Sequence, residues 1–366
     1  MNEDTSTAIP SQNSLQPSPE RKGGSEINSP LRAFSLRLMQ GKNLPSHEAA
    51  EFLDALLDVN ATDAQIAAAL VALAIKGATG EELAGMATAM RSRAVRIRSS
   101  HARFVDTAGT GSSGMKTFNI STAAAFVIAG AGLAVAKHGG RAATSRSGSA
   151  DVLTALGVKV ITAPEVSERC LNELGICFMF APLYHGATAR VAGVRRELGI
   201  PTTFNLLGPL TNPAGAPRQI IGVWHPSLVE PLAQALVALG TERSWVVHGG
   251  DGLDEITLAA NTFVAEACGG QVKRWEIKPE DFGLRQRPLE SLQGVDAETS
   301  ACTIGEVLAG GGRDTARDLV VINAAAALFV GDAVGSLHQA ARLAEQSIDS
   351  GAARAKLDDL IAATNK

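Results

Sequence analysis

From Ser29 to about residue 99, apolar side chains recur three and four residues apart. Phe52, Leu53, Leu56 and Leu57 do so, as do Ile66, Leu70 and Leu73, and this is the spacing of amphipathic helices. The boundaries are written beside them. Ser29-Pro30 can cap and start a first helix that Gly41 stops, and Pro45-Ser46 opens a second. Thr62 with Gln65, and Thr79 with Glu82, have capping-box spacing for a third and a fourth, and Gly77 closes the third. Four helices of about 10 to 15 residues make a small bundle that cannot bury all its apolar faces alone, so a partner surface is predicted.

From residue 100 the pattern changes to short apolar runs alternating with helical segments. Strands are predicted at Phe104-Val105, Leu133 to Ala136, Ile176 to Phe180, Gln219 to Trp224 and Ser244 to His248. Helices are predicted from Asn119-Ile120-Ser121-Thr122, from Ser147 to Asp151 onward, over Pro164 to Leu174 and over Pro226 to Leu239, with another ending at Gly199. The alternation predicts an α/β fold, a large domain with a central, mostly parallel sheet flanked by helices, beside the small all-helical domain. Two or three strands near Phe263 to Ile277 and helices from about Ile304 complete it, and Leu319 to Val330 is apolar enough to be core. Ala181 to His185 reads as a loop. Gly208, Pro209 and Pro213 crowd the segment Thr203 to Pro213 too closely for one regular helix, which predicts a stiff connector.

Composition narrows the class. The 366 residues suffice for two domains and a large core. Hydrophobic residues are 45% but aromatics only 4%, so the core must be built from Ala, Val, Leu and Ile. A net charge of −4 argues against a general nucleic-acid binder. Cys170, Cys177, Cys268 and Cys302 lack paired ligand spacing and read as reduced, buried thiols of a cytoplasmic protein. Residues 1–28, rich in Ser, Pro, Asn and Gln, read as a disordered tail and not as a signal peptide. No stretch is long and apolar enough for a membrane-spanning helix.

The chemistry concentrates between Asp106 and Asp151. A strand turns through Gly109, Gly111 and Gly114 into the mouth of an alanine-rich helix, and glycine backbone with free helix N–H groups forms an anion site. A second strand delivers Lys137 and His138 to another small-residue loop, which ends at Ser147 to Asp151. Two such units with Lys137, Arg141 and Arg146 describe a pocket for a ligand with several phosphates, although Gly and Ser are also ordinary at strand-to-helix turns. The loop fits neither the Walker nor the dinucleotide pattern. Asp251, Asp254 and Glu255 are hard oxygen ligands of the kind Mg²⁺ shares with substrate phosphates; alone, such a run also suits a solvated acidic turn.

These motifs resemble those of the anthranilate phosphoribosyltransferases, the tryptophan-pathway members of the nucleoside phosphorylase/phosphoribosyltransferase family. The resemblance covers nearly all the chain after about residue 30. It implies a small helical domain over 29–99, joined by helices of about 186–212, and a large domain over 100–185 and 213–366. The reaction it implies is transfer of the phosphoribosyl group of phosphoribosyl diphosphate to the amine of anthranilate, with Mg²⁺, in a homodimer formed through the helical domain. By resemblance, the donor is held by Gly109, Ser112, Ser113 and Thr117; by Asn119, Ile120, Ser121 and Thr122; and by Lys137, His138, Gly139, Gly140, Arg141, Ala142, Ala143, Thr144, Ser145 and Ser149. The acceptor meets Gly109, Gly140 and Arg195, and the metal meets Ser121, Asp254 and Glu255. Arg196 is not distinguished from Arg195 by sequence.

The chain departs from the family pattern at three places. The usual Gly-Thr-Gly-Gly-Asp-Gly has Ser112-Ser113 in place of a Gly-Asp pair, the usual Asn of Lys-His-Gly-Asn-Arg is Gly140, and the usual His-His pair is Tyr184-His185. The last two open the alternative of another aromatic acceptor. His138 and His185 suit either a proton relay or structural hydrogen bonding. A non-catalytic nucleic-acid-binding paralogue is disfavoured by the net charge and by the intact phosphate motifs, and a nucleoside phosphorylase rests on fold alone.

Overall fold

The computed structural model describes residues 30–111, 115, 117–141, 147–311 and 314–366. The predicted tail, together with Ser112, Ser113, Gly114 and the run Ala142, Ala143, Thr144, Ser145 and Arg146, lies outside the described residues.

Four helices come first: α1 (Pro30–Met39), α2 (Ser46–Leu57), α3 (Asp63–Lys76) and α4 (Gly80–Ser92). Both predicted capping boxes form. Thr62 accepts from the Gln65 N–H while its own N–H donates to Gln65, and Thr79 pairs with Glu82 in the same way. Glu82 is buried but satisfied, because Thr79 N, Leu44 N and Lys76 Nζ all donate to its carboxylate at 2.8–2.9 Å.

The chain then alternates through β1 (Phe104–Gly109), α5 (Ile120–Gly130), β2 (Ala134–Gly139), α6 (Ser149–Ala155), α7 (Pro164–Leu174) and β3 (Ile176–Phe180). It continues with α8 (Ala181–Tyr184), α9 (Ala189–Leu198), α10 (Phe204–Leu210), β4 (Arg218–Gly222), α11 (Val229–Ala238) and β5 (Arg243–Gly249). Strands β6 (Thr262–Cys268) and β7 (Gln271–Ile277) and helices α12 (Ala297–Leu308), α13 (Thr315–Val330), α14 (Leu337–Asp349) and α15 (Ala352–Thr364) complete the order.

One seven-stranded sheet runs β3-β2-β1-β4-β5-β6-β7, parallel from β3 to β5 and antiparallel thereafter. Strand order reverses between β1 and β4, and ligands of open α/β sheets gather at the carboxyl ends beside such a reversal. Along β4 to β6 successive residues face opposite layers. Ile220, Trp245, Val247 and Val264 join the core formed with α5, α6, α7 and α12 to α15. Ile221, Val246, Ala265 and Ala267 join a second core shared with α1 to α4 and α9 to α11. The bundle's partner surface is therefore one face of the sheet and its covering helix α11. The strongly apolar α13 lies buried in the first core, as its sequence predicts.

Four details differ from the sequence expectations. Only Cys170 and Cys177 are buried, whereas Cys268 at the end of β6 and Cys302 on α12 are exposed. Ala181 to Tyr184 forms a helical turn where a loop was predicted. Lys137 and His138 lie within β2, which pairs with β3 as far as Gly139, and so are fixed by the sheet instead of a loop. The connector contains a helix despite Pro209, which lacks the N–H that this position would donate one turn back, and the helix ends one residue later at Leu210. At the opposite end of the sheet, Arg218 and Arg243 donate to the carbonyls of Val330 and Phe329 at the end of α13 and pair with Asp332 at 2.6 and 2.9 Å. Among the described residues no helix is long and apolar enough to cross a membrane.

Candidate active site

Strand β1 ends at Gly109 and β4 at Gly222, paired side by side at the point of strand reversal. The loop after β5 folds back over both. A Cβ added to Gly222 would lie 1.7 Å from the Asp254 carbonyl oxygen, and one added to Gly109 would lie 3.4 Å from Asp254 Oδ2. Glycine at 222 is thus a steric requirement of bringing this acidic loop to the ends of β1 and β4. Asp251 braces the loop from within, accepting from Thr257 Oγ1 at 2.7 Å and from Leu253 N at 3.3 Å. Asp254 is half-buried and Glu255 buried.

Lys137, buried at the end of β2, donates from Nζ to Thr107 O at 2.6 Å and to Ser121 Oγ at 3.3 Å. Burial lowers its pKa, while the negative charges of Asp106 and Glu255 act in the opposite sense. Glu255 is pushed up to about 8, first by burial and then by the charge of Asp254, with Lys137 and Ser121 pulling it back. Two carboxylates that resist joint ionisation, with a hydroxyl beside them, form a hard-oxygen set whose repulsion a divalent cation relieves. The set fits Mg²⁺. Among the described residues no three His, Cys, Asp or Glu side chains cluster to hold a metal ion.

The mouth of α5 differs from the bare helix N-terminus read from the sequence. Asn119 N donates to Ser300 Oγ at 3.0 Å, Ile120 N to Phe118 O at 2.8 Å and Thr122 N to Asn119 O at 3.1 Å, while Ser121 N serves Glu255. The side chains of Ile120 and Thr122 are buried. Asn119 Oδ1 accepts from Ser147 Oγ at 2.9 Å and from Ser300 Oγ at 3.0 Å, which ties the two predicted loops to each other and to α12. Thr117 bridges to Gln293. Ser149 opens α6 and donates to Gly140 O at 3.4 Å; exposed Arg141 pairs with Asp151 at 2.8 Å. A Cβ on Gly140 would meet nothing within 4 Å, so neither backbone nor packing demands glycine there.

On the other flank, Arg195 of α9 is half-buried whereas Arg196 is exposed, a distinction invisible in sequence. The Arg195 guanidinium donates to Asn205 Oδ1 at 3.1 Å and lies 5.4 Å from the ring centre of Phe204, both on α10. The far end of α10 is fixed by side chains of three other elements. His138 Nδ1 lies 3.2 Å from Gly208 O, Gln219 Nε2 donates to Pro209 O at 2.9 Å, and Arg91 Nε donates to Leu210 O at 2.7 Å. Just beyond, Asn212 Nδ2 donates to buried Asp106 at 2.7 Å and to Ala136 O at 2.8 Å. The His138 and His185 rings meet edge to face at 5.1 Å, and burial holds them at about 3 and about 4, so both are neutral near pH 7 and weak bases. Low basicity disfavours a proton relay, while among the described residues only His138 Nδ1 of the four ring nitrogens has a hydrogen-bond partner.

The structure therefore gathers Gly109, Ser121, Lys137, Asp254 and Glu255 at one point, with Asn119, Gly140 and Ser149 linked to the neighbouring turn. Sequence reasoning missed Ser300, Gly222 and the role of Asn205. Only Asn205 carried a signal, its place in the connector.

Residues 34–94 match the model of the glycosyl transferase family, helical bundle domain, and residues 101–354 that of the glycosyl transferase family, a/b domain. A protein of Moorella thermoacetica named anthranilate phosphoribosyltransferase is 51% identical over 332 residues, covering 91% of this chain and 98% of that one. One of the same name from Anaeromyxobacter dehalogenans is 52% identical over 330 residues, covering 90% and 97%. The crystal structure of anthranilate phosphoribosyltransferase from Thermus thermophilus superposes with a TM-score of 0.85 at 39% identity, covering 92% and 100%. That from Saccharomyces cerevisiae, in complex with PRPP and Mg, gives 0.83 at 27% identity, covering 92% and 98%.

Proposed function

The chain belongs to the anthranilate phosphoribosyltransferase family, and from that premise we propose that it transfers the phosphoribosyl group of phosphoribosyl diphosphate to the amine of anthranilate, releasing diphosphate, in tryptophan biosynthesis. The observation that carries the reading is the convergence of Ser121, Lys137, Asp254 and Glu255 on the ends of β1 and β4.

Ser121, Asp254 and Glu255 would hold Mg²⁺, which supplies positive charge to the diphosphate when bound. Around it, Gly109, Thr117, the turn from Asn119 to Thr122, the segment from Lys137 to Arg141 and Ser149 would form the donor subsite. Lys137 sits where leaving-group charge grows, fixed in advance by Thr107 and Ser121. An aromatic amine is neutral at pH 7 and attacks C1 without prior deprotonation, so the site's work is positioning and charge stabilisation. That accounts for the lack of an obvious nucleophile or triad among the described residues, consistent with the low basicity of His138 and His185. Arg195 would pair with the acceptor carboxylate, and Gly109 and Gly140 would border the acceptor.

A homodimer through the helical bundle is part of the same reading. Met39 of α1 and Ile75 of α3 are 73% and 83% exposed on packed neighbouring helices, apolar surface that a second copy would cover. We place the reaction in the cytoplasm, where a phosphorylated donor is retained.

The test is loss of anthranilate fluorescence with phosphoribosyl diphosphate and Mg²⁺, run beside an Asp254→Ala/Glu255→Ala double variant. Turnover by wild type at an ordinary enzymatic rate and its loss in the variant support the assignment. A wild type inert with anthranilate, or a fully active double variant, refutes it.

A further inference from the structure

Arg195 differs from three sheltered arginines of the large domain in what it touches. Arg218, Arg243 and Arg317 each pair with carboxylates. Among the described residues Arg195 forms no ion pair; its partners are the neutral amide oxygen of Asn205 and the face of Phe204. A half-buried guanidinium oriented by neutral groups keeps its full charge for an anionic ligand, whereas a carboxylate at 205 would orient it and neutralise it together.

The amide is itself fixed. Asn205 Oδ1 also accepts from Thr202 N at 3.3 Å, and its helix α10 is tied at the other end to β2 by His138, to β4 by Gln219 and to β1 by Asn212 through Asp106. Strands β1 and β2 carry Gly109 and Lys137. The helix thus spans from the cation on α9 to the strands of the donor subsite, and Asn205 is where the span meets the cation.

We infer that Asn205 is a positioning residue that aims Arg195 at the acceptor carboxylate, with α10 setting the distance from that cation to the donor site. The inference rests on the reading of Arg195 as the acceptor's anchor. Loss of one hydrogen bond to a charged group corresponds to about a tenfold change in equilibrium.

Steady-state kinetics with anthranilate and phosphoribosyl diphosphate, on wild type, Asn205→Ala, Arg195→Ala and the double variant, tests it. Asn205→Ala should raise the acceptor KM about tenfold with the donor KM within twofold, and the double variant should be no worse than Arg195→Ala. Asn205→Asp, which keeps the hydrogen bond but adds a competing charge, should also raise the acceptor KM. An unchanged acceptor KM, an equal rise in both KM values, or additive losses in the double variant overturn the inference while leaving the function standing. A wild type that does not turn over anthranilate overturns the function, and this inference with it.

Discussion

Gly222→Ala probes the placement of the acidic loop most directly. The added Cβ would sit 1.7 Å from the Asp254 carbonyl oxygen and 2.5 Å from its carbon, both backbone atoms, where real contacts essentially never fall below 3.0 Å. No rotamer change relieves this, so Asp254 and Glu255 must move by more than an ångström or β4 must be displaced from β1. Overpacking of this kind destabilises by about 1–3 kcal/mol, and misplacing a catalytic group by about 1 Å lowers activity roughly a hundredfold. The variant should fold with a melting temperature lowered by a few degrees. Its kcat/KM for phosphoribosyl diphosphate should fall about a hundredfold, with higher Mg²⁺ needed for half-maximal rate. The assay is anthranilate fluorescence titrated in Mg²⁺, with melting followed in parallel. A variant within threefold of wild type and unchanged in Mg²⁺ dependence would show that the position of this loop does not govern donor binding.

Two further outcomes follow from electrostatics away from the metal ligands. His138 and His185 are held at about 3 and about 4 against an ordinary 6.5, so below pH 6.5 the unfolded chain binds protons that the folded chain refuses. Each ring's contribution is intact above pH 6.5 and falls by up to about 1.4 kcal/mol per pH unit as pH drops towards 4. Asp106, raised to about 6, and Glu255, raised to about 8, act oppositely, so the readable quantity is a difference in slope. Urea midpoints of His185→Gln should fall less steeply with acid than those of wild type, and parallel curves would refute the shift. At the other end of the sheet, Arg243 donates to Glu266 at 2.7 Å and Asp332 at 2.9 Å and lies 4.4 Å from the Phe329 ring centre. Arg243→Ala should destabilise by about 2–3 kcal/mol in denaturant titration with kcat unaltered, and a loss below about 0.5 kcal/mol would contradict it.

Local signals were legible wherever local physics decides. The capping boxes at Thr62 and Thr79 start α3 and α4, and α7 runs from Pro164 to Leu174 as predicted. Legibility weakens where distant contacts decide. β2 runs through Lys137 and His138 because β3 pairs with them, and α10 persists past Pro209 because side chains from β2, β4 and α4 take its terminal carbonyls. The acidic pair and the lysine could be read from sequence. Which arginine turns inward could not, because that depends on Phe204 and Asn205 packing under α9. Nor could Ser300, which reaches Asn119 from α12, far along the chain.

The second core, which runs unbroken from Leu31 through α2 and α4 to α11 and Ala267, bears on how the protein is made. Helix α4, on which α2 packs, leaves the ribosome more than a hundred residues before α11, the element that covers it. At ordinary speeds of synthesis that interval is on the order of ten seconds, long against the microseconds in which helices form. The nascent bundle therefore waits with Leu83, Ala87 and their neighbours uncovered, a window in which chaperones or sticky neighbours compete with the chain's own sheet.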